Sequence, residues 1–274
     1  MTINCKGNLI DFTSPKVMGV LNLTPDSFYD GGKYKNENEI LHQTERMLSD
    51  GATFIDLGAY SSRPGADHVT TEEEKRRITP IVSLLTKQFP EALLSIDTFR
   101  SEIALACIDR GAAMINDISA GNLDDQMFET IAKTKVPYIM MHMRGTPQTM
   151  KSLEQYDDLL HDMNLYFSEK IALAKQYGIN DIIIDPGFGF AKNIAQNFNL
   201  LKQLALLNFS ETPILAGLSR KSMIYKTLGI TASEALNGTT ALNTIALLNG
   251  ASILRVHDVK EAMQCIKLVE MYNR

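Results

Sequence analysis

The sequence predicts an α/β fold, a single (β/α)8 barrel domain spanning residues 1–274. Eight short apolar runs recur along the chain, segments of helical periodicity separate them, and no linker rich in proline, glycine or serine divides the 274 residues. Barrels of this class typically have about 250 residues. The residues before Lys16 exceed that need, and we expect them to form a short hairpin that closes the lower end of the barrel.

The apolar runs are the predicted strands. Several are continuously apolar, as expected of parallel strands that are covered on both faces. In chain order they are Val17–Leu23, Phe54–Leu57, Leu93–Ile96, Met114–Ile115, Tyr138–Met141, Ile182–Ile184, Ile214–Ala216 and Ile253–Val256. Because strand order is not visible in a sequence, a doubly wound sheet stays an alternative.

The predicted helices fill the gaps between these runs. In one of them Met163, Phe167 and Ile171 recur at helical spacing, which gives the helix an apolar face for the core. Thr71 and Glu74 stand three residues apart before another apolar stretch, a spacing that predicts a capping box. Strand and helix signals alternate to the end of the chain, which is why a barrel is favoured.

The composition favours a soluble intracellular protein with small-molecule partners. The 27 basic and 32 acidic residues give a net charge of −5, unlike proteins that coat nucleic acid or anionic membranes. The N-terminus lacks the apolar run of a signal peptide, and no stretch reaches the roughly 18 apolar residues of a membrane span. Cys5, Cys107 and Cys265 predict neither a disulfide framework nor a zinc site. We therefore expect a cytoplasmic location.

Polar side chains lie at the end of nearly every predicted strand. Active sites of barrels lie at the C-terminal ends of the strands, and burying such groups without partners costs roughly 1 to 3 kcal/mol each. A polar ligand is therefore expected at this end. The residues concerned are Asn22, Asp56, Asp97, Asn116, Asp117, His142, Asp185, Ser219, Arg220, Lys221, Arg255 and His257.

Four loop segments add to this prediction. Thr24–Asn36 and Gly58–Thr71 are long and carry glycines with aromatic or cationic residues, which is typical of lids that close over a ligand, here an anion. Ser219–Ser222 lies between a strand and a helix, where free backbone N–H groups favour an anion. The segment Asp185–Lys192 matches no phosphate-loop motif, and its glycines are expected to let the backbone approach a flat ligand.

Seven of these segments, taken in order, resemble the dihydropteroate synthase family from about Val17 to His257. They are GVLNLTPDSFYDGG, SSRPGA, SIDTFR, AxMINDISAG (AAMINDISAG here), IIIDPGFGFAK, LAGLSRKS and RVHDV. The resemblance implies a transferase of folate biosynthesis that joins 6-hydroxymethyl-7,8-dihydropterin diphosphate to 4-aminobenzoate and releases diphosphate. Members of the family are inhibited by sulfonamides, need Mg²⁺ and are usually homodimers.

The resemblance also implies residue roles. The implied pterin site consists of Asp97, Asn116, Ile118, Met140, Asp185, Phe190 and Lys221. The implied diphosphate site consists of Asn22, Arg63, Arg255 and His257, with Asn22 on Mg²⁺. The implied 4-aminobenzoate site consists of Phe28, Pro64, Lys221 and Ser222. The catalytic residues among them are Asp97, Asp185, Lys221, Arg255 and His257.

The chemistry of these residue types suits the implied reaction. A pterin edge offers adjacent N–H donors that a carboxylate such as Asp185 can accept, and Lys221 can donate to the ring oxygen. In the family the bond to diphosphate breaks first, so carboxylates are expected to stabilise the resulting cation and basic groups the leaving anion. The segment Gly58–Ser62 departs from the family's usual Gly-Gly-Glu-Ser-Thr.

Two other functions stay open at this point. A related pterin-binding barrel transfers a methyl group from methyltetrahydrofolate to a corrinoid protein, and it has no need for Arg63 or for Ser219–Ser222. A non-catalytic paralogue is expected to have lost residues of the cluster, and none is missing here. Asp56 and Asp117 are expected to be structural braces, and His142 is expected to be a core histidine.

Overall fold

The computed structural model describes residues 1–23, 33–60, 69–207, 209 and 212–274. Ten strands lie in these ranges. They are β1 (Thr2–Cys5), β2 (Asn8–Asp11), β3 (Lys16–Asn22), β4 (Phe54–Gly58), β5 (Leu93–Asp97), β6 (Met114–Asp117), β7 (Tyr138–Met141), β8 (Ile182–Asp185), β9 (Leu215–Ala216) and β10 (Ile253–Val256).

The strands β3 to β10 form one parallel sheet in the order β8-β7-β6-β5-β4-β3-β10-β9. A parallel bridge between Ile184 and Ile214 joins the two ends of this order. The backbone N–H of Ile184 donates to the carbonyl of Pro213 at 3.0 Å at the same seam. The sheet therefore closes into a barrel, which confirms the predicted fold. The doubly wound alternative is wrong, because such a sheet keeps two open edges.

The helices lie outside the barrel and follow the strands along the chain. They are α1 (Lys33–Ser49), α2 (Thr71–Gln88), α3 (Ser101–Ile108), α4 (Met127–Thr134), α5 (Leu159–Gln176), α6 (Ile194–Lys202), α7 (Ser222–Leu228), α8 (Leu236–Leu248) and α9 (Val259–Tyr272), with short 3₁₀ helices at Met150–Ser152 and Leu204–Leu207. No helix in the described ranges combines the length and the apolar character needed to cross a membrane.

Alternation along each strand divides its side chains between two cores. In β4, Ile55 and Leu57 are fully buried in the layer between the barrel and the helices. Phe54 lies in a second cluster inside the barrel. Because both faces of the strands are covered, the strands appear in the sequence as nearly continuous apolar runs.

An N-terminal hairpin formed by β1 and β2 closes the lower end of the barrel, as predicted. Lys6 and Gly7, at φ +53° and +82°, form the two-residue turn that the right-handed twist of a hairpin favours. Ile3, Cys5 and Phe12 are buried against the residues that begin the barrel strands. The opposite end is left for the polar residues.

Candidate active site

The C-terminal ends of the strands bring the predicted polar residues together. Asn22, Asp97 and Asp185 are the last residues of β3, β5 and β8, and Asn116 pairs with Asp97 across β5 and β6. Parallel strands present these ends on one side of the barrel. The expectation that the polar residues share one end of the fold is therefore confirmed, and contacts between their side chains define the site.

An ion-pair network crosses the barrel at this end. Arg255 Nε donates to Asp56 Oδ2 at 2.6 Å, and Arg255 Nη2 donates to Asp97 Oδ2 at 2.9 Å. Asn116 Nδ2 donates to the same oxygen of Asp56 at 3.1 Å. Burial raises the pKa of Asp97 to about 7, although the Arg255 charge acts in the opposite direction. The nearby carboxylates raise the pKa of Arg255, so the guanidinium stays charged.

Asp185 begins a tight turn whose geometry requires glycine. Gly187 N–H donates to Asp185 Oδ1 at 2.7 Å. Gly187 has φ +67°, and a Cβ at this position would lie 2.2 Å from the His142 carbonyl oxygen. Burial raises the pKa of Asp185, and the Lys221 charge opposes that rise. The turn thereby holds a nearly buried carboxylate at the end of the barrel.

Lys221 reaches back from the start of α7 toward this turn. Its Nζ donates to the Phe188 carbonyl and lies 4.8 Å from the centre of the Phe190 ring. Burial lowers the pKa of Lys221 to about 8, while Asp185 favours the charged form. A Cβ on Gly189 would lie 3.3 Å from Lys221 Cδ, so the absence of a side chain there leaves room for the lysine.

The apolar wall of the site differs from the prediction in one residue. Ile118 lies in a small cluster with Met141 and Met143, and Phe190 packs against it. Met140 is fully buried instead in the layer between the barrel and the helices. Side chains alternate along β7, so Met140 and Met141 point to opposite faces. The expectation that Met140 lines the site is wrong, and Met141 takes its place.

His257, two residues after Arg255, contacts Ser219. Ser219 Oγ lies 3.0 Å from His257 Nδ1 and accepts from the His257 backbone N–H at 3.2 Å. The helix α7 begins at Ser222, directly after Lys221. The side chain of Asn22, at the end of β3, hydrogen-bonds to no residue in the described ranges. The implied diphosphate residues that are described thus lie in or just after the neighbouring strands β3 and β10, whereas Lys221 and Ser222, implied for 4-aminobenzoate, lie at the start of α7, the helix that follows β9.

Three predicted site residues, Phe28, Arg63 and Pro64, lie outside the described residues. The two predicted lids, Thr24–Asn36 and Gly58–Thr71, fall largely in the same gaps.

The sequence did not single out Lys192, a buried residue that contacts the turn after Asp185. Its Nζ donates to the carbonyls of Gly187 and Phe190 at 3.2 and 3.1 Å and lies 3.0 Å from His142 Nδ1. These three acceptors match the three hydrogens of an ammonium group. Burial lowers the pKa of Lys192 to about 7 and holds that of His142 well below its ordinary value. The prediction of a core histidine at His142 is confirmed, but the sequence carries no signal for its partner.

The donor set at Asn22 fits Mg²⁺ bound together with a diphosphate. Mg²⁺ commonly takes one or two protein oxygens, substrate phosphate oxygens and water. The described residues contain no cluster of three or more histidine, cysteine or acidic side chains suited to a metal. A single amide oxygen with no hydrogen-bond donor against it agrees with an ion that is bound mainly through its substrate.

Comparison with known proteins assigns the chain to a family. Residues 18–257 match the family described as "Pterin binding enzyme". The chain is 42% identical to dihydropteroate synthase of Escherichia coli, covering 98% of this chain and 96% of the relative, and 43% identical to that of Synechocystis, covering 93% and 89%.

Solved structures agree with this assignment. A Yersinia pestis dihydropteroate synthase with a sulfonamide drug complex superposes with a TM-score of 0.93 at 41% identity, over 100% of this chain and 99% of that one. A Xanthomonas albilineans dihydropteroate synthase with 4-aminobenzoic acid gives 0.92 at 36% identity, over 99% and 98%. The chain belongs to the dihydropteroate synthase family, a family of pterin-binding transferases of folate synthesis.

Proposed function

We propose that this chain condenses 6-hydroxymethyl-7,8-dihydropterin diphosphate with 4-aminobenzoate to give 7,8-dihydropteroate and diphosphate. One observation carries the proposal: the end of the barrel places two acceptor carboxylates, Asp97 and Asp185, beside an amide and a cation that lies on an aromatic ring. This combination matches a flat heterocycle with several N–H donors. The relatives that the chain resembles over nearly its whole length act in folate synthesis.

Pterin recognition is assigned to the strand-end residues. Asp185 uses Oδ1 for the Gly187 N–H, and its Oδ2 accepts no hydrogen bond in the described part of the chain. That oxygen is left to accept from the amino-pyrimidinone edge. Lys221 donates to the ring oxygen, and Asp97 and Asn116 bind the remaining polar atoms. Ile118, Phe190 and Met141 cover the faces of the ring.

Diphosphate binding is assigned to the residues around Arg255. Arg255 and His257 lie in and just after β10, and Asn22 lies at the end of the neighbouring strand β3. Arg63 joins them by resemblance to the family. Asn22 would hold Mg²⁺, which supplies positive charge beside the diphosphate oxygens when it is bound.

The proposed chemistry is a dissociative substitution. The C–O bond between the pterin methylene and diphosphate breaks, and the leaving group takes the electron pair. Asp97 and Asp185 stabilise the positive charge that spreads into the pterin ring, while Arg255 and His257 stabilise the leaving anion. The 4-aminobenzoate nitrogen then attacks the methylene carbon and loses a proton to water.

The second substrate is assigned to Lys221 and Ser222 with Phe28 and Pro64, following the family resemblance. The Xanthomonas albilineans relative contains 4-aminobenzoic acid and the Yersinia pestis relative a sulfonamide drug complex. We accordingly propose that sulfonamides inhibit this chain as analogues of 4-aminobenzoate.

We also propose that the enzyme is a cytoplasmic homodimer. The three cysteines are free and buried, which supports a reducing compartment. Leu228, Leu248 and Leu268, on α7, α8 and α9, are between 50% and 72% exposed. Apolar residues on helices late in the chain support an interface. Sedimentation equilibrium tests the dimer, and a monomer at micromolar concentration would contradict it.

A coupled assay for diphosphate tests the proposed reaction. We expect diphosphate release only when the pterin diphosphate and 4-aminobenzoate are both present, together with Mg²⁺, and formation of 7,8-dihydropteroate in equal amount. Diphosphate release that does not depend on 4-aminobenzoate would indicate a hydrolase. Methyl transfer from methyltetrahydrofolate with no release of diphosphate would replace the proposal with the methyltransferase alternative.

A further inference from the structure

Asp56 links two site residues that are distant in sequence. Its Oδ2 accepts from Asn116 Nδ2 at 3.1 Å and from Arg255 Nε at 2.6 Å, over separations of 60 and 199 residues. The Asp56 side chain is fully buried in β4. Because it has no exposed surface for a ligand, it can influence the reaction only through its charge and through the groups that it holds.

The first of these groups is the Asn116 amide. An ionised carboxylate only accepts hydrogen bonds, so the amide must turn its Nδ2 toward Asp56. Asn116 Oδ1 accepts no hydrogen bond within the described ranges and is left to accept from a ligand. Without Asp56 the amide could turn over and present a donor to the N–H groups of a pterin.

The second group is the Arg255 guanidinium. It donates through Nε to Asp56 and through Nη2 to Asp97. The guanidinium is a rigid plane, so two fixed directions determine the third. Nη1 makes no hydrogen bond in the described part of the chain, so its hydrogens stay available to an incoming anion.

We infer that Asp56 is a positioning residue that presents the Asn116 oxygen to the pterin and the Arg255 Nη1 group to the diphosphate. The inference rests on the proposed function and adds to it a residue that contacts neither substrate. It goes beyond the expectation that Asp56 is a structural brace, because both of its partners are residues implied for the site.

A double-mutant cycle tests the inference. The variants are Asp56→Asn, Asn116→Ala and the double variant, and calorimetry measures their affinity for 6-hydroxymethyl-7,8-dihydropterin. We expect each single variant to bind at least tenfold more weakly. The double variant should bind about as weakly as Asn116→Ala alone, because residues that act through one contact are not additive. Additive losses would overturn the inference.

Ser95→Ala is the matched control. Ser95 is the register partner of Asp56 on the adjacent strand, equally buried, and its Oγ has no partner in the described ranges. We expect Ser95→Ala to leave the pterin affinity and the unfolding midpoint unchanged.

Inorganic diphosphate is the probe for the Arg255 contact. We expect Asp56→Asn to weaken the binding of inorganic diphosphate at least tenfold. Unchanged affinity of Asp56→Asn for either probe would overturn the inference.

Two further measurements, a pH profile and a crystal structure, distinguish a positioning role of Asp56 from a purely structural one. The acidic limb of the pH profile of kcat/KM should move to lower pH in Asp56→Asn. Burial is the main cause of the raised pKa of Asp97, Arg255 lowers that pKa, and the carboxylates of Asp56, Glu74 and Asp117 raise it further, so removal of the Asp56 charge lowers it. An unmoved limb would contradict the inference. Should Asp56→Asn fail to fold, Asp56→Ser, which leaves room for water, replaces it in the same cycle.

The second measurement is a crystal structure of the wild-type protein with pterin bound, which tests the inference without any substitution. The distance from Asp56 Oδ2 to the Asn116 amide nitrogen should stay within 3.5 Å, and a longer distance would overturn the inference.

Failure of the inference can be told apart from failure of the proposed function. If the wild type releases diphosphate but the affinity losses in the double-mutant cycle are additive, the inference fails and the proposed function stands. If the wild type binds neither probe and releases no diphosphate, the proposed function itself fails.

Discussion

The two ends of the same barrel strands perform different work. At the lower end Phe54, Leu93 and Ile253 fill the interior with apolar side chains under the N-terminal hairpin. Leu93 and Ile253 lie on β5 and β10. At the upper end the same two strands carry Asp97 and Arg255. One end removes apolar surface from water, and the other holds charges for a ligand. Substitutions at the two ends should therefore change different quantities.

A second contrast lies within the upper end, between two buried strand-end carboxylates. Asp117 accepts from the Ser119 N–H, the Ser119 hydroxyl, the Gly121 N–H and the Tyr138 hydroxyl. Asp185 accepts a single backbone hydrogen bond, from Gly187. Both carboxylate oxygens of Asp117 accept hydrogen bonds from within the fold, which agrees with the predicted role as a brace. Asp185 keeps one oxygen available for a ligand.

The largest effect is expected at the lower end. Phe54→Ala should reduce the free energy of unfolding by roughly 3 to 5 kcal/mol, because it removes a fully buried aromatic side chain. The folded fraction should bind the pterin substrate with unchanged affinity. Urea denaturation followed by circular dichroism measures the loss. Leu9→Ala, at a position 74% exposed, is the control and should change little. A Phe54 variant that folds stably but has lost pterin affinity would break the separation between the two ends.

Asp117→Asn should come next. Hydrogen bonds to charged groups contribute roughly 1.5 to 3 kcal/mol each, and the amide cannot accept from all four donors. We expect the unfolding free energy to fall by about that amount, with less than a tenfold change in pterin affinity. The same denaturation experiment measures the first value and calorimetry the second. A large loss of affinity at full stability would place Asp117 in the binding site.

Charged residues at the upper end of the barrel should also determine how kcat/KM depends on pH. Asp97 has to be ionised to stabilise the cation, so kcat/KM should rise with pH through its pKa of about 7. Lys221 has to be protonated to donate, so kcat/KM should fall through its pKa of about 8. We expect a narrow bell with roughly tenfold loss per pH unit beyond each limb. Lys221→Arg should move the basic limb upward, and a flat profile would contradict these roles.

The sequence predicted the elements and the polar end of the barrel because both follow from local patterns. Continuous apolar runs mark covered strands, and polar residues directly after them mark the ligand end. The role of Met140 came from the family resemblance, and the apolar pair Met140–Met141 carries no alternation in the sequence that could have shown which of the two side chains faces the site. The partners of Asp56 and the contact of Lys192 with His142 could not be predicted, since contacts over separations of 50 to 199 residues exist only in the closed barrel.

Long-range contacts also overturned one local prediction and determine the surroundings of Tyr60. The capping box at Thr71 and Glu74 is wrong, because Thr70 caps α2 and Glu74 is buried beside Thr98 and Arg100. At Tyr60, where the family usually has glutamate, the ring packs edge-on against Phe99 at 5.1 Å. In both places a partner from another part of the chain determines the role of the side chain.

The most direct test of the account is the pterin affinity of Asp185→Asn measured beside Asp117→Asn. Because the Gly187 N–H donates to Oδ1, the new amide must place its oxygen there and its NH₂ group at the position of Oδ2, facing the pterin donors. We expect calorimetry to show at least a tenfold loss of affinity, about 1.4 kcal/mol, with an unchanged unfolding midpoint, while Asp117→Asn shows the reverse. Equal pterin affinity in Asp185→Asn and the wild type would contradict the assignment of this end of the barrel to pterin binding.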